Sequence, residues 1–334
     1  MESSRATPGS RRGDRRRART RRRVLLHVCL ATAAVVGATA VGAGYVKAHA
    51  GDGGAVSSAG SPARSSTSSA PAGGEASVEP VTEPVVDRNA LLDTAMRAVT
   101  VPSGAEVSAA VLDLDSGDSA VHGDGAFDTA SIVKVDILAA LLLRAQDAGR
   151  RLTAAEKAYA VKMIENSDNA SASALWEVIG EAAGLDAANA RFGLTGTEGG
   201  AEGLWGLTQT TAADQLVLLR QVFGDESELS EASRSYLRDL MGSVEADQRW
   251  GVSAAADGSG PALKNGWLAR SSTGLWDVNS IGRVTAGGTR YLVAVLSRGT
   301  VSQAAGIALV EAAAKAAVGS FARGGSSASA SAAP

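Results

Sequence analysis

Cysteine is nearly absent from this 334-residue chain: Cys29 is the only one, and it lies in an apolar N-terminal run. The rest of the chain therefore has neither a disulfide nor a catalytic thiol. A lipid-modified cysteine is excluded too, because the apolar run follows Cys29 and does not precede it. Histidine is almost as scarce. Of His27, His49 and His122, only His122 lies beyond the leader region. One histidine without cysteine cannot build a zinc site of the common kinds. A histidine-based triad would have to rely on His122 alone, and the G-x-S-x-G turn occurs nowhere. Net positive charge is missing from the body of the chain. Residues 1–23 carry ten arginines against Glu2 and Asp14, a net +8, so a total of −3 leaves the remainder at −11. An acidic body argues against nucleic acid as the partner. No internal repeat is visible.

What is present falls into segments. Residues 1–23 form a basic stretch, and 24–46 form an uncharged apolar run about long enough to cross a bilayer. Basic residues before such a run stay cytoplasmic, so the chain beyond residue 46 is expected outside. "AHA" at 48–50 resembles a signal-peptidase site, and "TRRRVLL" is a loose twin-arginine pattern. An uncleaved anchor is favoured over cleavage near Ala50, because the apolar run is longer than a usual signal core. Residues 47–84 are rich in Gly, Ala, Ser, Pro and Thr and read as a flexible linker. Residues 85–321 form the folded domain, and 322–334 read as a disordered tail.

Within the domain, 85–99 has apolar residues at helical spacing. "AEVSAAVLDLDSGDSAVHGDG" alternates and breaks at Ser116-Gly117-Asp118, the pattern of a β-hairpin. Residues 128–245 read as mostly helical. "PALKNGW", "LWDVNSIGRV" and "RYLVAVLSRG" read as three strands, and an amphipathic helix closes the chain. Two strands before a helical block and three after it predict an α+β fold. One five-stranded antiparallel sheet, flanked by the terminal helices, would meet a mostly helical subdomain at a cleft.

"DTASIVKVDILAALLL" (128–143) poses a problem. It reads as a buried helix, yet Lys134 sits near its start, and an ammonium is costly to desolvate. Ser131, three residues earlier, shares its helical face. It would sit at the helix N-terminus, where the dipole favours developing negative charge. A desolvated lysine has a lowered pKa and can take the proton of a serine nucleophile. Alone the motif is weak: 36 Ser and 6 Lys yield S-x-x-K about 0.6 times by chance. Two further stretches raise its weight: Ser167-Asp168-Asn169, and Lys264-Asn265-Gly266 in a short strand. S-x-x-K, S-D-N and K-x-G in this order form the three-part pattern of serine β-lactamases and penicillin-binding proteins.

Over about residues 85–320 the chain resembles the class A β-lactamase-like family of serine hydrolases. The resemblance implies that Ser131 attacks a carbonyl and Lys134 accepts its proton. It implies that Ser167 relays a proton to the departing nitrogen and that Lys264 adds positive charge beside it. Asn169 would contact Lys134 and the substrate, and Asn265 and Gly266 would line the substrate strand. The backbone N–H groups of Ser131 and Trp267 would form the oxyanion hole. Asp168 would be structural. No metal or organic cofactor is implied, and the domain is expected to act as a monomer on a β-lactam or peptidoglycan-like small substrate.

The sequence departs from that family in four places. The third motif has Asn265 where Thr or Ser is usual. The interval from Ser131 to Ser167 is shorter than in class A enzymes. No E-x-x-L-N segment supplies the deacylating Glu; Glu198 and Glu202 are the only carboxylates in the corresponding stretch. No arginine precedes Asn279, which leaves Arg270 or Arg283 as substitutes. The expected activity is an exported, membrane-anchored or secreted serine hydrolase that forms a Ser131 acyl-enzyme. The alternatives are a D,D-peptidase-like enzyme, a non-hydrolytic penicillin- or peptidoglycan-binding envelope protein, and an esterase acting on small acyl esters.

Overall fold

The computed structural model describes residues 86–329 apart from residue 259. The basic stretch, the apolar run with His27 and Cys29, and the linker with His49 lie outside the described residues, as do the last residues of the tail. Asp87 caps the first helix, α1 (Arg88–Met96), by accepting from Ala90 N at 3.0 Å. The predicted hairpin follows as β1 (Glu106–Asp113) and β2 (Ser119–His122). Its turn forms because Asp113 Oδ1 accepts from the backbone N–H of Asp115 and Ser116 at 2.8 and 3.1 Å. The three later strands are β5 (Ala262–Ala269), β6 (Trp276–Ala286) and β7 (Thr289–Thr300). Together they form one five-stranded antiparallel sheet in the order β2-β1-β7-β6-β5.

β7 occupies the middle of that sheet, and its side chains alternate between two cores. Leu292, Ala294 and Leu296 face a cluster shared with the helical subdomain. Tyr291, Val293 and Val295 face a cluster shared with α1 and the last helix, α8 (Gln303–Ser329). Burial on both faces is what its near-continuous apolar sequence requires. The Gln303–Phe321 part of α8 is long and apolar enough to cross a membrane. Val310, Ala313, Ala314 and Ala317 lie buried in the second cluster, as expected for the core helix of a globular domain. The helix continues past residue 321, where composition predicts a disordered tail. Extending an established helix costs only about 1 kcal/mol even at a glycine, far less than nucleating one.

The helical subdomain comprises α2 (Val133–Asp147), α3 (Ala154–Glu165), α4 (Asn169–Ile179), α5 (Glu181–Phe192), α6 (Ala212–Phe223) and α7 (Glu231–Gly242). α2 is its axis, buried at nearly every position from Val133 to Ala145. One feature was not legible in the sequence. A small second sheet pairs β3 (Phe127–Asp128) with β4 (Gln209–Thr210). Two-residue strands carry no periodicity, so only the fold reveals them.

α2 also carries a buried acid. Asp136 is 1% exposed. The Asn189 amide nitrogen, oriented to satisfy both groups, donates to its two carboxyl oxygens at 2.9 and 3.1 Å. Desolvation pushes the Asp136 pKa up to about 8, with Asp186 and Asp214 adding repulsion and Asn189 opposing it. The native state therefore holds a proton that the unfolded chain has released between about pH 4 and pH 8. Stability falls with rising pH across that window. Asp136→Asn is expected to flatten the decline, read as Tm against pH from 5 to 8. An unchanged slope would assign the proton elsewhere.

Candidate active site

Three elements deliver the three motifs to one point. Ser131 sits in a 3-10 turn, Ala130–Ile132, that runs directly into α2. Ser167 sits in the bend between α3 and α4, and Lys264 on the edge strand β5. Ala130 and Ser167 both adopt left-handed backbone conformations, φ 48° and 57°. Each costs a non-glycine residue on the order of 1–3 kcal/mol, and such strain clusters at functional sites.

The side chains form a continuous polar chain. Lys134 Nζ lies 2.9 Å from Ser131 Oγ, 3.0 Å from Ser167 Oγ, 2.7 Å from the Ser167 carbonyl and 2.8 Å from Asn169 Oδ1. Lys264 Nζ reaches the same Ser167 Oγ at 3.0 Å and the Asn265 carbonyl at 2.9 Å. Both lysines are fully buried. Desolvation lowers the Lys134 pKa to about 7, and the charge of Asp168 only partly offsets it. Lys264 is pushed well below the usual lysine range, by burial first and by Lys134 second. With a pKa near neutrality, Lys134 exists in appreciable part as an amine whose lone pair can take the Ser131 proton.

β5 makes the second wall. A Cβ on Gly266 would lie 2.7 Å from Ser131 N and 2.7 Å from Thr129 O, so only glycine lets strand and turn approach this closely. The N–H groups of Ser131 and Trp267 belong to these two touching main chains. The turn is also held from β6. Asn279 Nδ2 donates to the Asp128 and Thr129 carbonyls at 2.8 and 3.1 Å, while its Oδ1 accepts from Ser297 N. Asp168 is a helix cap: its Oδ1 accepts from Ser171 N at 2.7 Å at the start of α4. Asn169 binds Lys134 through its oxygen, and its amide nitrogen has no protein partner among the described residues. His122, at the end of β2, pairs with Asp93 on α1, outside this constellation.

The remaining candidate residues lie as follows. Asn265 does not offer its amide donors to the cleft. Both go to backbone carbonyls, of Gln248 at 2.8 Å and Trp250 at 2.9 Å, because on a strand its side chain pins the loop before β5. Trp267 packs on Trp250, ring centroids 5.8 Å apart. Glu198 and Glu202 are exposed, and among the described residues neither side chain makes a hydrogen bond or ion pair. Glycines around them leave no neighbour to hold them inward. Arg283 donates to the Gly260 carbonyl and lies over Phe223, away from the motifs. Arg270 instead lines a cavity of about 590 Å³ between β5 and the 203–207 segment, and pairs with Asp128 and Asp277.

The sequence did not single out Trp205. It lies in a 3-10 turn, Trp205–Leu207, with Lys134 Nζ 4.9 Å from its ring centroid. Its signal was present, an aromatic residue in the stretch that lacks E-x-x-L-N, but nothing local says which way a loop side chain faces.

The model of a family described as "Beta-lactamase enzyme family" matches residues 143–321. The match takes in Ser167 and Lys264 and begins after Ser131 and Lys134. A search of curated proteins returned no match. Among solved structures, an acyl-enzyme complex of a PBP-A mutant with penicillin G is 24% identical, with TM-score 0.60 over 70% of this chain and 97% of that one. TLA-1 extended spectrum beta-lactamase is 16% identical, with TM-score 0.61 over 70% of this chain and 98% of that one. A class A beta-lactamase representative from Bacteroides cellulosilyticus has the same identity, TM-score and coverage. These likenesses establish a β-lactamase-like fold.

The approach at Gly266 has a direct test. Gly266→Ala places a methyl against main-chain atoms that cannot swing aside. A loss of about 1–3 kcal/mol of stability is expected, read by denaturant unfolding. A variant as stable as the wild type would show that strand and turn separate freely.

Proposed function

Because the chain belongs to the beta-lactamase enzyme family, we propose that it is an exported serine hydrolase whose Ser131 forms an acyl-enzyme with β-lactams or related cell-wall amides. One observation carries this reading: the unbroken chain Ser131–Lys134–Ser167–Lys264, with every link at 2.9 or 3.0 Å. Ser131 Oγ attacks the carbonyl carbon while its proton passes to Lys134. Collapse of the tetrahedral intermediate breaks the C–N bond, and Ser167 delivers a proton to the departing nitrogen. Ser167 is then reprotonated from Lys134. In the state in which Lys134 is the neutral base and Lys264 carries the proton, Lys264 stabilises negative charge developing on Ser167 Oγ and attracts an anionic substrate. The oxyanion is received by the N–H groups of Ser131 and Trp267. The basic stretch 1–23 and the apolar run 24–46 support a membrane-tethered domain on the outer face, where cell-wall amides are found.

A second reading, penicillin-binding or D,D-peptidase-like, differs in the fate of the acyl-enzyme. It is favoured by the absence, among the described residues, of any carboxylate hydrogen-bonded to Ser131 or Lys134. Acylation has its parts; fast hydrolysis lacks a dedicated base.

Intact-protein mass spectrometry with benzylpenicillin tests the reading. A covalent adduct is expected on the wild type and none on Ser131→Ala. A folded wild type that takes up no β-lactam at all would refute acylation by this substrate class. The base has its own signature. Lys134 must be neutral to accept a proton, so the acylation rate should rise about tenfold per pH unit below about 7 and level off above. Lys134→Ala should lower it by about 10²–10⁴-fold. A flat profile between pH 5 and 8 would remove Lys134 from that role.

A further inference from the structure

We propose that Trp205 is a water-excluding residue that shields Lys134 and thereby makes the acyl-enzyme long-lived. This rests on the reading of Ser131 as the acylated nucleophile. To hydrolyse the ester, a water oxygen must attack the acyl carbon, the bond to Ser131 Oγ must break, the water must lose a proton and Ser131 Oγ must regain one. Among the described residues the basic side chain within hydrogen-bond distance of Ser131 Oγ is Lys134. Its Nζ is surrounded by Ser131 Oγ, the Ser167 carbonyl and hydroxyl, and Asn169 Oδ1, which is more acceptors than an ammonium has protons. Against this polar shell stands the Trp205 ring, 4.9 Å from Nζ to centroid. A water bridging that gap would need about 2.9 Å to the nitrogen and a further ~3.5 Å to the ring face. No water fits between them.

The ring is fixed by its surroundings. Its Nε1–H donates to Ser173 Oγ on α4 at 3.1 Å. The 3-10 turn closes through Thr208 N to the Trp205 carbonyl at 3.1 Å. Thr208 ties the turn to the nucleophile's own segment: its carbonyl accepts from Thr129 N at 2.9 Å, and its Oγ1 accepts from Gly200 N at 3.0 Å. The base of the loop is anchored by acids on the flanking helices, Asp186 accepting from Gly199 N and Asp214 from Gly196 N and Thr197 Oγ1. The indole also contributes the apolar surface and π-face that a buried lysine can tolerate, so it positions the base while denying it a water. Trp205 also lines the cavity it shares with Leu207 and Leu268.

The test follows the adduct with benzylpenicillin over time by intact mass, in wild type, Trp205→Ala and Trp205→Phe, each checked for folding by circular dichroism. The wild-type adduct should persist for hours. Trp205→Ala should shorten its lifetime about tenfold or more, with a smaller effect on its formation. The accelerated loss should depend on pH through the range in which Lys134 titrates. Trp205→Phe, which keeps an aromatic face, should restore the long lifetime; if the alanine variant fails to fold, Trp205→Leu takes its place. Equal lifetimes in all variants, or a wild-type adduct lost within minutes, would overturn the proposal while leaving acylation intact. A wild type that forms no Ser131-dependent adduct would instead overturn the acyl-enzyme reading itself, and this proposal with it.

Discussion

Everything in this domain is arranged around the cost of burying the Lys134 amine. An ammonium taken out of water loses several kcal/mol of solvation that a single hydrogen bond does not return. Here the cost is met in two ways at once. Four oxygens surround the nitrogen, and its pKa falls to about 7, so the charged form is no longer obligatory at neutral pH. A second buried lysine, Lys264, touches the same serine hydroxyl, and burial together with the nearby Lys134 lowers its proton affinity. Two adjacent cations in an apolar interior would repel strongly, which favours states in which at least one is neutral. The helical axis α2, the edge strand β5 and the bend before α4 converge to hold this arrangement. Left-handed residues at Ala130 and Ser167 are the strain that convergence requires.

The same arrangement separates the two halves of an acyl-transfer cycle. On the reading proposed for Ser131, the polar chain serves formation of an acyl-enzyme. The loop that covers it carries two exposed carboxylates, Glu198 and Glu202, and a tryptophan held against the amine. Loop residues are where such differences between relatives concentrate, because a rigid scaffold tolerates exchange there. A shared fold therefore does not transfer a shared rate of hydrolysis to this chain; the groups in reach of the ester decide it.

Legibility followed sequence distance. The β1–β2 hairpin, β5 to β7 and the long helices were readable because each is a local pattern of alternation, period or turn chemistry. The pairing of Ser131, Lys134, Ser167 and Lys264 was readable only through the order of three motifs, since the last two residues are 97 positions apart. The direction of the Asn265 side chain has a tertiary cause. Its amide is consumed by the carbonyls of Gln248 and Trp250, contacts that no strand periodicity announces. Arg283 and Arg270 were indistinguishable as sequence. One extends over Phe223, and the other meets Asp128 and Asp277 at the cavity.

By itself the sequence determined the element types, the five-stranded sheet and the three motifs with their order along the chain. These depend on residue type and on spacings of a few residues, which the backbone's own periods convert directly into shared faces. Only the tertiary structure decided how far the lysine pKa falls, which loop residue reaches the amine, and which carboxylates stay in solvent. Those are properties of burial and of distances between segments far apart in the chain. Desolvation and Coulomb interactions act through space, and nothing in the order of residues encodes them until the chain has packed.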